Sequence, residues 1–341
     1  MAQFTIYRST DVAAPVLNGI TGSMITVLDA VLVNGYGTTT SAGWTRPYVA
    51  TNVNNTNTMA VYKQGSGSCG FYMWVQDSGS VSSGRQAIYR GFETAQNVNL
   101  HTTNSVFSFP NSASATGLTA NGLVMQKSAT ADTVVRPWIA FADSRTLYMF
   151  ILNGGTAASY ETVCFGEFYS MAQSDPYRCL IIGDNAEGAY LGASARFATL
   201  IISVGGTAIL GHYFARNHIT TNPATPFSKH TDVAKMASVL YMGGGTVAQT
   251  VGLPNGSDGG IYLAPIWLID ITTGGVNTVR GRLRGIWNVC HNATGFSDGD
   301  TFGGIGDLAG RTFQIVKWVT ESTVASSAYI AVETSNTLET N

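Results

Sequence analysis

Residues 134–152, VVRPWIAFADSRTLYMFIL, decide the fold class of this chain. Two apolar runs flank Asp143-Ser144, and this pattern predicts a hairpin with strands at Val134–Ala142 and Leu147–Leu152. The second run is apolar at six consecutive positions, so both faces of that strand need to be buried. We therefore expect it to lie in the centre of a sheet that is covered on both sides.

Outward from this hairpin, the chain consists of short β-rich runs separated by Gly, Ser, Asn and Asp. Many short strands with glycine-rich turns favour a sandwich or barrel over an α/β fold. The predicted fold class is therefore mainly β, with antiparallel sheets of the β-sandwich or jelly-roll type. Further strands are predicted at Phe71–Val75, Tyr177–Ile182, Ile261–Ile269, Arg311–Val319 and Ala328–Glu333.

One short N-terminal helix is predicted at residues 23–34. Ser23 is the expected cap, and Asn34-Gly35 is a typical helix end. Apolar residues recur at helical spacing on one face of this segment, namely Met24, Val27, Leu28, Val31 and Leu32.

The polar segment 217–229, which contains Pro223 and Pro226, is the best candidate for a linker. It predicts an N-terminal β-rich domain at residues 1–220 and a C-terminal β domain at residues 221–341. The alternative is one continuous unit, since a chain of this length also fits a single large β domain.

Charged residues are scarce, with 18 lysines and arginines and 20 aspartates and glutamates among 341 residues. The 45% of hydrophobic residues excludes a disordered chain. The net charge of -2 argues against a nucleic-acid partner. A folded chain of this mass exposes about 350 Å² of surface per charge. Such a surface is poorly suited to a free cytosolic enzyme and typical of a protein that is covered by partners.

Neither a signal peptide nor a membrane span is expected. The segment Met1–Thr5 has no basic stretch followed by an apolar one. The apolar run Met24–Val33 is shorter than the ~20 residues that cross a bilayer. The four cysteines have no C-x-x-C spacing, so buried free thiols are expected rather than a zinc site. They are Cys69, Cys164, Cys179 and Cys290.

No cofactor or metal site is predicted. The spacing of Gly304, Gly306 and Ala309 matches a dinucleotide-binding loop, but a predicted strand follows where the phosphates need a helix. The segment Asp298–Asp300 with Asp307 lacks the full calcium-loop pattern and is typical of a turn.

No catalytic residue is predicted either. Glu161 and Glu167 would lie about 20 Å apart along an unbroken strand, which is too far for paired-carboxylate hydrolysis. The histidines are scattered and form no nucleophile motif.

Arg280, Arg282 and Arg284 are the sharpest local feature. Their alternate spacing places three guanidinium groups on one strand face, and guanidinium groups suit carboxylates and phosphates. Two interpretations stay open: a contact with another subunit or a polyanion, or a solvated face paired with local Asp or Glu. We take the three arginines as a candidate subunit interface.

Aromatic residues cluster between Trp44 and Trp74 and offer a weaker candidate, a platform on which a sugar would stack. Core packing is the more common role of aromatic residues in strands.

Five segments resemble a family of virion structural proteins of tailed bacteriophages, and the resemblance runs along nearly the whole chain. The segments are residues 17–44, 137–148, 279–287, 296–302 and 331–336, which include PWIAFADSRTLY at 137–148 and VRGRLRGIW at 279–287. The resemblance implies a virion protein of the tail, neck, baseplate or capsid, with no enzymatic activity, no cofactor and no catalytic residues.

We therefore expect a non-enzymatic bacteriophage structural protein that is made in the host cytoplasm and located in the virion. Its expected partners are copies of itself in a symmetric homo-oligomer and other virion proteins. The alternatives are a module at the tail tip that recognises a host surface glycan through Trp44 or Trp74, and a capsid decoration protein. A depolymerase would need two carboxylates roughly 5–10 Å apart in an open groove.

Overall fold

A computed structural model describes most of the chain in fourteen segments. They are residues 4–51, 57–77, 85–93, 108–109, 123–155, 160–183, 185–186, 212–216, 227–229, 234–238, 261–271, 277–289, 296–317 and 329–335.

The described residues form two antiparallel sheets, and the larger one has thirteen strands. One path through it runs in the order β1-β8-β9-β10-β17-β20-β19-β18, while β11, β13 and β14 continue from β10, and β16 and β15 continue from β17. The strands are β1 (Thr5–Arg8), β8 (Trp138–Ala142), β9 (Thr146–Leu152), β10 (Tyr160–Ser170), β11 (Cys179–Gly183), β13 (His212–Arg216), β14 (Phe227–Lys229), β15 (Ala234–Ser238), β16 (Leu263–Ile271), β17 (Asn277–Val289), β18 (Thr301–Gly303), β19 (Thr312–Lys317) and β20 (Tyr329–Glu333).

The smaller sheet has seven strands in the order β12-β7-β5-β4-β3-β2, with β6 beside β5. They are β2 (Thr45–Thr51), β3 (Asn57–Lys63), β4 (Tyr72–Gln76), β5 (Gln86–Phe92), β6 (Ser108–Phe109), β7 (Leu123–Gln126) and β12 (Asn185–Ala186). The two sheets confirm the predicted mainly antiparallel β fold of the sandwich type.

The hairpin β8–β9 is buried on both sides, as its sequence predicts. Leu147 and Met149 pack into a core shared with the smaller sheet and the helix. Tyr148 and Phe150 pack on the other side into a second core with residues of β16, β17 and β20. β9 is thus a central strand between two layers, and its alternate side chains serve two different cores.

The predicted helix is present between residues 23 and 34, but its two halves differ. The first half is α1 (Ser23–Leu28), and the second half, Asp29–Asn34, is a π-helix that ends at Gly35 with a φ of 72°. The predicted cap was wrong. Gly22 occupies that position without a side-chain cap, while Asp77 Oδ2 accepts a hydrogen bond of 2.8 Å from the Met24 N–H.

The predicted division near residue 220 lies outside the described residues. Strands from both sides of this position nevertheless share the larger sheet, because β10 pairs with β17. Arg8 also donates a hydrogen bond of 2.6 Å to Gln314 near the other end of the chain.

Two of the four cysteines, Cys164 and Cys179, are buried free thiols as predicted. They lie on neighbouring strands but contribute to different cores, on opposite sides of the sheet. Cys69 is free and partly exposed, and Cys290 lies outside the described residues. In the described part of the chain, the helical segments are too short to cross a lipid bilayer.

Candidate functional site

The candidate site lies where β10 changes its neighbours. Residues 160–167 of β10 pair with β9 and β11, whereas Phe168–Ser170 pair with residues 281–283 of β17. The close approach of β17 requires glycine at position 281, since a Cβ there would lie 2.1 Å from the Tyr169 carbonyl oxygen. This junction brings the arginines of β17 towards the end of β10 and the turn that follows it.

Arg280 forms a buried ion pair with Asp175 of that turn. Its Nη2 lies 2.8 Å from Asp175 Oδ2, and both side chains are almost completely buried. Asp175 also accepts hydrogen bonds from Ser170 Oγ at 2.7 Å and from the Tyr177 N–H at 2.9 Å. Arg280 and Asp175 therefore hold the turn against the junction.

Arg284 forms a bidentate ion pair with Asp143, which lies in the turn of the β8–β9 hairpin. Nη2 donates to Oδ2 at 2.7 Å and Nη1 to Oδ1 at 3.2 Å, while Nη1 also donates to Thr146 Oγ1 at 2.7 Å. Burial acts to lower the pKa of Arg284, but the charge and hydrogen bonds of Asp143 outweigh burial and raise that pKa above its ordinary value. The guanidinium is therefore charged at any physiological pH.

Glu167 on β10 is a third buried carboxylate. It accepts hydrogen bonds from the Cys69 N–H and from Arg178 Nε, the latter at 3.1 Å. Arg178 Nη1 in turn donates to the Asp175 carbonyl at 3.0 Å. Arg145 Nη1 lies 3.9 Å from Glu167 Oε2, an ion-pair distance too long for a hydrogen bond.

These groups surround a pocket of about 160 Å³, which we call the arginine pocket. Three guanidinium groups and two carboxylates line it, so the pocket has an excess of positive charge. This arrangement is suited to holding an oxyanion. The pocket is lined by Arg145, Glu167, Phe168, Tyr169, Ser170, Ala172, Ser174, Asp175, Arg178 and Arg284.

Arg282 differs from its two neighbours on β17. Its guanidinium lies over the ring of Tyr169 at 5.2 Å and over the ring of Trp287 at 5.9 Å, and it has no carboxylate partner among the described residues. Burial lowers the pKa of Arg282, the nearby charge of Arg311 lowers it further, and Glu333 opposes both effects.

Two of the three predicted interface arginines thus have partners in their own chain. Arg280 and Arg284 pair with Asp175 and Asp143 of the same chain, which agrees with the interpretation that the arginines pair with local acidic residues. The strand face that carries these two arginines is buried, however, and not solvated. Arg282 is partly exposed and keeps its place as a candidate contact with another subunit. The subunit interface itself stays a prediction.

The predicted sugar-stacking residues are in the interior, and this part of the prediction was wrong. Trp44 and Trp74 are each 2% exposed. Trp44 donates a hydrogen bond of 2.7 Å from its indole nitrogen to the Asp143 carbonyl and packs edge-on against Phe165. A ring that is buried in this way presents no face to a sugar.

The segment Asp298–Asp300 forms a turn. Asp298 Oδ1 accepts a hydrogen bond from the Lys317 N–H, and Asp300 Oδ2 accepts one from the Ser297 N–H. Nowhere in the described segments do three His, Cys, Asp or Glu side chains come together as metal ligands would. Gly304 precedes a short 3-10 helix, Gly306–Leu308, which begins at the second glycine and is followed by strand β19.

Exposed aliphatic side chains lie on two segments, residues 12–20 and 132–136. Hydrogen bonds from the Gly19 N–H to the Asp132 carbonyl and from the Arg136 N–H to the Leu17 carbonyl hold the two segments together. We call the exposed side chains of this surface the aliphatic patch: Val12, Val16, Ile20, Val134 and Val135. All are more than 40% exposed, and Val12 is 88% exposed.

Sequence reasoning missed four residues of the arginine pocket: Arg145, Glu167 as an arginine partner, Asp175 and Arg178. Asp143 was recognised only as a turn residue. The one available signal was the three alternating arginines of β17, because buried guanidinium groups require partners somewhere in the fold.

Comparison of the chain with protein-family models and with curated proteins finds no match.

Proposed function

We propose that this chain is a non-enzymatic structural subunit of a tailed bacteriophage virion, in the tail, neck or baseplate. The proposal includes assembly of the chain into a symmetric homo-oligomer. The resemblance of five sequence segments to virion proteins and the low content of charged residues support it.

The aliphatic patch is the observation that carries the proposal of self-assembly. Five Val and Ile side chains lie exposed on two adjoining segments. Apolar side chains that are exposed together on a soluble protein mark interaction sites where they form a patch. A second copy of the chain is the partner to which we commit, because most oligomers of soluble proteins are symmetric homo-oligomers.

The glycan-binding alternative is less well supported. The two tryptophans that suggested it are core residues, and no other observation favours a sugar ligand.

Substitution of Val135 by Asp tests the proposed assembly. A carboxylate buried within an apolar contact would remain unpaired, so the dissociation constant of the oligomer is expected to rise at least about tenfold. Sedimentation velocity over a range of protein concentrations measures this change. Val49→Asp on β2 is the matched control and should leave the oligomer intact.

A native chain that stays monomeric at high concentration would overturn the self-assembly proposal, as would equal effects of the two substitutions. The virion assignment has its own test, a particle map that locates this chain. Rings of copies about the tail axis support a tail or neck subunit, whereas copies spread over the shell contradict that location.

A further inference from the structure

We propose that the arginine pocket is a binding site for a small oxyanion, with a phosphate or carboxylate group held by Arg145, Arg178 and Arg284. This inference does not depend on the proposed virion function, because it rests on the hydrogen-bonding state of the pocket side chains.

The carboxylates around the pocket are already occupied. Asp143 accepts four hydrogen bonds, from the Arg145 and Thr146 backbone and from both terminal nitrogens of Arg284. Asp175 is bonded by Ser170, Tyr177 and Arg280, and Glu167 by Cys69 and Arg178. These acids therefore have little capacity left to bind a cation or to neutralise the remaining arginine donors.

Several guanidinium donors, by contrast, have no acceptor among the described residues. The Arg145 side chain donates no hydrogen bond to any described residue, and the nearest carboxylate oxygen is 3.9 Å away. Arg178 uses Nε and Nη1 on Glu167 and the Asp175 carbonyl, which leaves Nη2 free within the described part of the chain.

Arg284 adds a third positive charge to the lining of the pocket. The residue is 4% exposed, and its terminal nitrogens are hydrogen-bonded to Asp143 and Thr146. Its charge attracts an oxyanion into the pocket, while the free donors of Arg145 and Arg178 form the hydrogen bonds to it.

Two of the three arginines, and the turn beside them, are held by hydrogen bonds before any ligand arrives. Arg284 is fixed by Asp143, Arg178 is fixed by Glu167, and the turn is fixed by the bond between Ser170 and Asp175. Fixed donors lose little conformational freedom on binding, which favours affinity.

The size of the pocket restricts the ligand. Its volume of about 160 Å³ is below the range of about 300–1,000 Å³ for pockets that enclose drug-sized molecules. Arg145 and Arg178, both 33% exposed, form the accessible part of the lining. A single phosphate or carboxylate group fits this space, whether it is free in solution or belongs to an acidic side chain of a neighbouring copy.

Titration with inorganic phosphate, followed by phosphorus NMR at low ionic strength, tests the proposal. It is carried out at a protein concentration at which sedimentation shows the monomer. We expect saturable binding by the native chain, about tenfold weaker binding by Arg145→Gln, and an intermediate affinity for Arg145→Lys. The lysine keeps the charge and loses the forked geometry.

Arg46→Gln is the matched control, because Arg46 has a similar exposure of 28% and pairs with Asp29, which does not line the pocket. It should bind phosphate with the native affinity. Equal losses for Arg46→Gln and Arg145→Gln would overturn the proposal by showing binding to general surface charge.

The two possible sources of the oxyanion give different results in sedimentation. If phosphate dissociates the oligomer and Arg145→Gln weakens it, the natural ligand is a carboxylate of a neighbouring copy. If phosphate binds without any effect on the oligomer, the ligand is a free anion. Absence of both phosphate binding and any effect on assembly would overturn the proposal, and the tests of the aliphatic patch would be unaffected.

Discussion

Two groups of buried charges in this protein have opposite characters. At the start of α1, Asp77 and Lys127 form an ion pair in which both side chains are completely buried. Asp77 accepts a hydrogen bond from the Met24 N–H, and Lys127 donates to the Ile20 carbonyl at 2.7 Å and to Ser23 Oγ at 2.9 Å. One positive group thus meets one negative group, and we call these two residues the helix pair.

The arginine pocket, in contrast, contains more guanidinium groups than carboxylates and is open to solvent through Arg145 and Arg178. A balanced pair without access to solvent has only a structural use. An unbalanced group with free donors and an accessible rim is able to take up a ligand. Free donors and access to solvent, rather than burial of charge alone, separate a candidate binding site from a structural ion pair.

The largest effect is expected when the helix pair is broken. Lys127→Met leaves the Asp77 carboxylate buried without a positive partner, so the free energy of unfolding should fall by about 3–5 kcal/mol. Chemical denaturation measures this loss.

Addition of Asp77→Asn to Lys127→Met is the control for this prediction. It removes the stranded charge while an amide oxygen remains to accept the Met24 N–H, so most of the lost stability should return. A loss below about 1 kcal/mol for Lys127→Met, typical of exposed pairs, would show that Asp77 does not depend on Lys127 for its stability in the interior.

A change of pH is expected to have a smaller effect on the free energy of unfolding, because protonation of Asp77 removes its charge but none of its atoms. Burial raises the pKa of Asp77 to about 6, against the opposing charge of Lys127, whereas an unfolded Asp has a pKa of about 3.9. The folded protein therefore takes up this proton first as the pH falls. The contribution of Asp77 to stability is complete below the unfolded pKa and is lost as the pH rises through about 6.

Denaturation of the native chain and of Asp77→Asn, at a series of pH values between about 7 and 4, isolates this contribution. The difference in free energy of unfolding, native minus variant, should increase as the pH falls through this range. A decrease would mean that the charge of Lys127 outweighs burial.

The sequence predicted the layers of the fold better than either group of charges. Six consecutive apolar residues in β9 require two covered faces, and a helical repeat between residues 23 and 34 is a local property, so both features could be inferred without knowledge of the fold. The change to a π-helix at Asp29 left no comparable trace in the apolar spacing.

The partners of the β17 arginines depend on long-range strand pairing. Arg284 meets Asp143 from 141 positions away in the chain, at a junction that the β10–β17 register creates. Nothing in the local pattern around Asp143 distinguishes an arginine partner from an ordinary turn residue. Trp44 is a similar case, because an aromatic residue near a strand is compatible with both a core position and a surface platform until its neighbours are known.

The smallest effect is expected from Arg145→Gln, and it separates the two groups of charges most directly. Arg145 carries the same charge as Lys127, but it is one-third exposed and 3.9 Å from its nearest carboxylate. Its removal should therefore change the free energy of unfolding by no more than about 0.5 kcal/mol, as measured by denaturation in chloride buffer without phosphate. A loss as large as that of Lys127→Met would show that Arg145 is a structural part of the junction. A negligible loss, together with weakened phosphate binding, would place Arg145 among the groups that the fold leaves free for a ligand.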